Sequence, residues 1–170
     1  MNTQPHRDLR PRKLRSIFAL TVLAWLVASL VSTRAADAHC QIPCGIYGDD
    51  MRFQMLDEHI TTLEKSMAQI EEIGASGSPN WNQLVRWVEN KDTHADEIAS
   101  IVTEYFLQQR IKPVEDQASP EFQKYVTELR YCHEILVHAM KAKQTTDHAH
   151  IEALRTLVHD LAHSYLGESK

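Results

Sequence analysis

The sequence predicts an all-α protein, folded as an antiparallel four-helix bundle. Three observations predict it. Five glycines and six prolines in 170 residues are too few for the tight turns of an all-β chain. Beyond residue 48 the apolar residues recur at helical spacing in four stretches, and nowhere alternate at period two for long enough to build a strand. Short turn signals separate the stretches, which places consecutive helices antiparallel, each of about 20–30 residues. The length suits a single domain with a real core, and no internal repeat is present.

The first stretch, roughly Asp49–Ile73, carries Leu56, Ile60, Leu63, Met67, Ile70 and Ile73 at steps of 4, 3, 4, 3 and 3, one helical stripe. Gly74-Ala75-Ser76-Gly77-Ser78 ends it. Ser78-Pro79 then offers an N-cap followed by proline at the first helical position. The second stretch runs to about Gln109, with Trp81, Leu84/Val85, Val88, Ile98, Ile101/Val102 and Tyr105 as its apolar side. Its polar middle, Glu89–Asp96, is where a kink or break is expected. Ile111-Lys112-Pro113 stops it, and Ser119-Pro120 starts the third helix with the same cap chemistry. Phe122, Val126, Leu129, Cys132/His133, Leu136 and Met140 line that helix, and Cys132 reads as a small buried hydrophobe. Thr146 or Asp147 caps the fourth, which turns Ile151, Leu154, Leu157/Val158, Leu161 and Tyr165 inward and stops at Gly167. Such broad apolar faces exceed what one bundle covers, so Trp81, Trp87 and the methionines are expected in the core or at a subunit interface.

Ahead of the bundle stands an export-type leader. Arg7, Arg10, Arg12, Lys13 and Arg15 precede fifteen uncharged residues, Ile17–Val31, a run short of the roughly 20 residues that span a bilayer. Ala36-Asp37-Ala38 then fits the small-x-small cleavage rule. Three segments result: a signal peptide, 1–38, cleaved after Ala38; an N-terminal hook, 39–48; and the bundle, 49–170. The mature protein is expected outside the cytoplasm, periplasmic or extracellular, and not in a membrane. An uncleaved anchor and a lipoprotein at Cys40 are the rival readings. The former needs a longer apolar run, and the latter a small residue where His39 stands.

The charge follows this division. The whole chain is at -5, but the leader holds six Lys/Arg against two Asp/Glu and the remaining 132 residues stand at -9. Most of the basic excess lies within the first 15 residues, which argues against nucleic acid as a partner. Three cysteines are too few for a disulfide scaffold.

The chemistry concentrates in His39-Cys40-Gln41-Ile42-Pro43-Cys44-Gly45-Ile46-Tyr47. Cleavage before His39 frees an α-amine, whose pKa near 8 lets it surrender its proton to a metal at neutral pH. The amine, the Cys40 amide and the Cys40 thiolate are then consecutive donors, and Cys44 adds a second thiolate once the chain turns back. Pro43 and Gly45 suit a short closing loop. An N₂S₂ set of this kind favours square-planar Ni(II) or Cu(II), with the His39 imidazole as an axial fifth ligand; zinc prefers a tetrahedral set of more separated residues. A Cys40–Cys44 disulfide is the competing reading, and the spacing alone admits both. The coincidence of a cleavage site with the bond before His39 favours the metal.

At these residues the sequence resembles the nickel superoxide dismutase family. Its mature N-terminal motif, His-Cys-x-x-Pro-Cys-Gly-x-Tyr, is matched by His39, Cys40, Pro43, Cys44, Gly45 and Tyr47. The resemblance implies a four-helix bundle assembled as a homohexamer, with one nickel ion per subunit and superoxide as the small-molecule substrate. It makes the His39 amine and imidazole, the Cys40 amide and thiolate and the Cys44 thiolate the nickel ligands. Two thiolates and an anionic amide would bring the Ni(II)/Ni(III) couple into range for converting superoxide to O2 and H2O2. Tyr47 matches the tyrosine that borders the substrate pocket. Glu104-Tyr105-Phe106 resembles the family's Asp-Tyr-Phe at the end of its second helix, which implies that Tyr105 approaches the hook of a neighbouring subunit. Gln41 departs from the Asp of some members. The family's carboxylate partner for the axial imidazole falls near Gln54, Asp57 and Glu58, and Lys91 is the candidate basic partner.

Other constellations are weaker. His159 and His163 share a helical face but have no cysteine nearby and are expected to be exposed or partly packed, while His148 and His150 are expected to be solvated. No Glu-x-x-His occurs, against a di-iron bundle, and no Cys-x-x-Cys-His occurs, against covalent haem. The alternatives to a dismutase are an exported helical nickel- or copper-binding protein without redox turnover, and a metal-free bundle with a Cys40–Cys44 disulfide.

Overall fold

The computed structural model describes residues 48–167; the leader and the hook residues 39–47 lie outside them. Four helices follow in order: α1 (Asp49–Gly74), α2 (Trp81–Ser100), α3 (Pro120–Gln144) and α4 (Ala149–Leu166). Ten residues of π-helix, Ile101–Arg110, extend α2. No strand occurs among the described residues. Helix α1 packs on α2 and α4, and α3 packs on the same two, so the four close a ring in chain order. That is the antiparallel bundle expected from short connections.

Helix α1 forms where Phe53, Leu56, Ile60, Leu63 and Met67 repeat at steps of three and four, and all five are buried. Asp49 and Asp50 occupy its first turn, where the helix dipole favours negative charge. Helix α4 buries Ile151, Leu154, Leu157, Val158 and Leu161 as expected and ends at Gly167, whose φ of 75° lies in the region that favours glycine. The Ser119 side chain accepts from Phe122 N at 3.1 Å and caps α3 ahead of Pro120. Asp147 Oδ1 accepts from Ala149 N at 2.9 Å at the start of α4. Each fully buried Leu or Ile of this core contributes about 1.5–3 kcal/mol.

Three expectations are corrected. Helix α2 starts two residues later than Ser78-Pro79 suggests, because Asn80 is the cap and its side chain accepts from Gln83 N at 3.2 Å. The polar middle of α2 holds no break; Lys91 and Ala95 turn inward from it. Lys91 is 3 % exposed, and its Nζ donates to Ala142 O (2.7 Å), Lys143 O (2.6 Å) and Asp92 Oδ1 (3.1 Å). A side chain from α2 thereby satisfies carbonyls at the end of α3 that have no partner within their own helix. The inner face of α3 is Glu128, Cys132, Ile135, Ala139 and Ala142. Val126 and Met140, assigned inward from the sequence, face outward. Small alanines let α3 approach its neighbours, and apolar counting alone ranks them below the larger residues beside them. On α2, Trp81, Val85 and Val88 are exposed as well, Trp81 by 67 %, so the start of this helix presents an apolar stripe rather than core.

Candidate metal centre

The ligand residues read from the sequence, His39, Cys40 and Cys44, and the pocket tyrosine Tyr47 lie outside the described residues. The segment that carries them joins the bundle at Gly48, which precedes the first turn of α1. Because the helices alternate in direction, this end of the bundle also receives the end of the π-helical segment and the end of α4. Their side chains meet on Asp49.

Tyr105 Oη donates to Asp49 Oδ1 at 2.5 Å. Arg110 Nη2 donates to Asp49 Oδ2 at 2.6 Å, and Tyr165 Oη donates to the same oxygen at 3.1 Å. Arg110 Nε donates to Tyr165 Oη at 3.1 Å, which closes the network. Arg52 and Arg110 both lie over the Tyr105 ring, at 4.9 and 5.7 Å from its centroid. Beneath them Phe53, Phe106 and Tyr165 pack as an aromatic trio, with centroids 4.9 to 6.1 Å apart.

The π-helix makes this possible. In an α-helix residue i+5 stands about 140° round from residue i, so Tyr105 and Arg110 would face different ways. The wider winding, seen where Ile111 N donates to Phe106 O at 2.9 Å, brings them onto one side. Gln109 Nε2 donates to Glu104 O at 2.7 Å, again across five residues. Such segments are rare and concentrate at functional sites.

The electrostatics follow the contacts. Burial by itself would raise the Asp49 carboxyl, but hydrogen bonds from Arg110, Tyr105 and Tyr165 outweigh it and hold the pKa below the ordinary carboxylate value. Tyr105 is 4 % exposed; burial and its bond to Asp49 push its hydroxyl up to about 12. Tyr165 is raised by burial in the same direction. The Arg110 guanidinium is held more firmly protonated by its bond to Asp49.

Two histidine pairs lie elsewhere. His59 on α1 and His94 on α2 face each other with 2.8 Å between their Nδ1 atoms, and His138 on α3 meets His150 on α4 at 3.2 Å. Burial and the facing ring lower the pKa of His59 and of His138. His150 is thus half-buried and paired rather than simply solvated, whereas His159 and His163 are exposed as expected. No group of three or more His, Cys, Asp or Glu is placed to hold a metal ion among the described residues. Cys132 is buried, and burial pushes its thiol up to about 12, as a packing residue requires.

Of the candidate ligand and catalytic residues His39, Cys40, Cys44, Tyr47 and Tyr105, Tyr105 alone is described, and it stands at the end of the bundle where the hook segment joins at Gly48. Lys91 does not: it is fourteen residues before Tyr105, about 20 Å along the helix, with its donors committed to Asp92 and the end of α3. Sequence reasoning missed Asp49, Arg110 and Tyr165. Asp49 looks like an ordinary first-turn acid, Tyr165 like core, and Arg110 falls on the wrong face at 3.6 residues per turn.

The family model described as nickel-containing superoxide dismutase matches residues 34–170, spanning both the hook motif and the whole bundle. No curated protein and no solved structure matches the chain. With its helical bundle and a family match over most of its length, the chain belongs to the nickel-containing superoxide dismutase family, whose members are nickel-dependent oxidoreductases.

Proposed function

We propose that this protein dismutes superoxide at a nickel ion held by its mature N-terminus, after cleavage behind Ala38 has made His39 the first residue. The observation that carries this is the coincidence, inside the family match over 34–170, of a cleavage signal with the complete ligand set His39, Cys40 and Cys44. The donor chemistry fits the metal: the amine and imidazole of His39, the amide nitrogen and thiolate of Cys40 and the thiolate of Cys44 would hold nickel and would stabilise its oxidised form.

When bound, nickel supplies the one-electron couple through which one superoxide is oxidised to O2 and the next, with two protons, is reduced to H2O2. The chain does the rest. The freed α-amine of His39 loses its proton near neutral pH, and Cys40 and Cys44 bind as thiolates. Tyr47 orients the anion by donating a hydrogen bond; a phenol of pKa about 10 is a weak proton source at neutral pH, so the two protons come from water. The mature chain is acidic overall, so attraction of the anion is left to local cations and to the metal itself.

The protein is further proposed to be exported, to leave the membrane once its signal is removed, and to assemble as a homohexamer. The exposed apolar stripe of Trp81, Val85 and Val88 supports association. No helix among the described residues is long and apolar enough to cross a membrane.

N-terminal sequencing and metal analysis of the native protein, followed by superoxide decay measurements, test the reading. A chain beginning at His39, about one nickel per chain as the family implies, and decay faster than with free nickel are expected. A different first residue overturns the ligand set. Nickel without acceleration leaves a carrier, and an oxidised Cys40–Cys44 pair without nickel leaves a structural bundle.

A further inference from the structure

Asp49 stands at the first position of α1, next to the residue through which the hook segment enters the bundle. Helix ends fray, and the first turn lacks half of its internal hydrogen bonds, so this turn is held firmly only where side chains restrain it. Here they do. One carboxylate accepts from three side chains on two other segments, at 2.5, 2.6 and 3.1 Å. A first-turn acid that served only the helix dipole would need none of them.

We infer that Asp49, gripped by Tyr105, Arg110 and Tyr165, is a positioning residue that pins the first turn of α1 and with it Gly48, the point to which the hook segment is joined. This inference rests on the proposed function above. The two oxygens of Asp49 are held from the π-helical segment and from α4, so the first turn of α1 cannot rotate without breaking bonds to both. The aromatic trio below and the Arg52 and Arg110 guanidiniums over the Tyr105 ring restrain the same turn. The arrangement also gives Tyr105 its task. Its hydroxyl proton is directed at Asp49 and its pKa is about 12, so within its own chain Tyr105 holds the carboxylate rather than delivering a proton.

The test compares wild type with Asp49→Asn and Asp49→Glu as mature, nickel-loaded protein. Asp49→Asn is expected to keep its nickel, to lower kcat by about 10- to 100-fold as a misplaced reacting centre does, and to change the electron paramagnetic resonance spectrum of Ni(III). Asp49→Glu keeps the charge and is expected to recover part of the rate. Spectrophotometric titration is expected to show Tyr105 ionising nearer its ordinary value in Asp49→Asn. Should Asp49→Asn fold poorly, Tyr165→Phe retains the Arg110 and Tyr105 bonds and is expected to shift the spectrum in the same direction by less. A wild-type spectrum and kcat in Asp49→Asn, with only a lower Tm, would overturn the inference and leave Asp49 a structural residue. Wild-type protein without nickel at its N-terminus overturns the proposed function itself, a result distinct from any behaviour of the variants.

Discussion

The bundle solves the problem of polar groups between helices in two ways, in different places. At the hook end an ionised carboxylate is held by an arginine and two tyrosines from other segments. Farther along, α1 meets α2 and α3 meets α4 through pairs of histidines, whose burial and mutual proximity keep the neutral form favoured. The first arrangement is built on charge and the second on its avoidance. Their pH responses therefore differ. The lowered pKa of Asp49 means its contribution is fully present above about 3.8 and is lost only as pH falls through the lower folded value. The histidine pairs begin to lose theirs near neutrality. The first turn of α1 is thereby held over a wider pH range than the histidine contacts between helices.

Removing the carboxylate is the most damaging way to break this contrast. Asp49→Ala removes the acceptor that Arg110 and two tyrosine hydroxyls share in a partly buried site. Loss of one partner from a fully buried pair costs about 3–5 kcal/mol; with the Arg110 side chain 32 % exposed, about 3 kcal/mol is expected from denaturant unfolding at pH 7.

Lys91→Met is the next largest and sharpens the comparison. It leaves the carbonyls of Ala142 and Lys143 without their side-chain donor, for about 2 kcal/mol. The stability loss approaches that of Asp49→Ala, yet Lys91 lies about 20 Å along the helix from Tyr105. The Ni(III) spectrum should therefore stay that of wild type, and a spectral change would return Lys91 to the neighbourhood of the metal.

These two residues also mark what the sequence could and could not say. The family was legible from the motif at His39–Tyr47, because a motif depends on residue order alone. Helices α1 and α4 were legible because each carries one uninterrupted apolar stripe. Helix α3 carries two adjoining stripes, and the inner one is built partly of Ala139 and Ala142, whose small size wins a close approach that hydrophobicity does not rank. In α2 the polar stretch that looked like the place for a break instead holds Lys91, buried and donating to carbonyls at the end of another helix, a tertiary fact. The Asp49 cluster escaped for a geometric reason: Tyr105 and Arg110 align only when five residues make the repeat, and nothing in the local composition announces a π-helix.

The histidine pairs offer a smaller effect with a clear sign. His59 and His138 have folded pKa values below 6.5, so the unfolded chain takes up protons there that the folded chain refuses. Stability should fall as pH drops through about 6.5 and level off once the folded values are passed. Urea midpoints measured from pH 7.5 to 5 check this. The double variant His59→Gln, His138→Gln should show a flatter profile, and an equally steep one would place the acid sensitivity elsewhere. At pH 7, His94→Ala should cost about 1 kcal/mol, the net worth of one hydrogen bond.

Tyr165→Phe gives the smallest change and the finest division of the hook end. The hydroxyl makes two bonds of 3.1 Å, one to Asp49 and one from Arg110, while the ring remains to pack on Phe53 and Phe106. Asp49 keeps its two shorter bonds, so the loss should be about 0.5–1 kcal/mol, read as a small drop in urea midpoint at unchanged slope. A cost near that of Asp49→Ala would mean that the cluster acts as one cooperative unit, in which Tyr165 matters as much as the charge it touches. A small cost locates the grip in the bonds from Tyr105 and Arg110, both from the π-helical segment. That outcome would make the unusual winding of residues 101–110, rather than the packing of α4, the feature that holds the base of the hook.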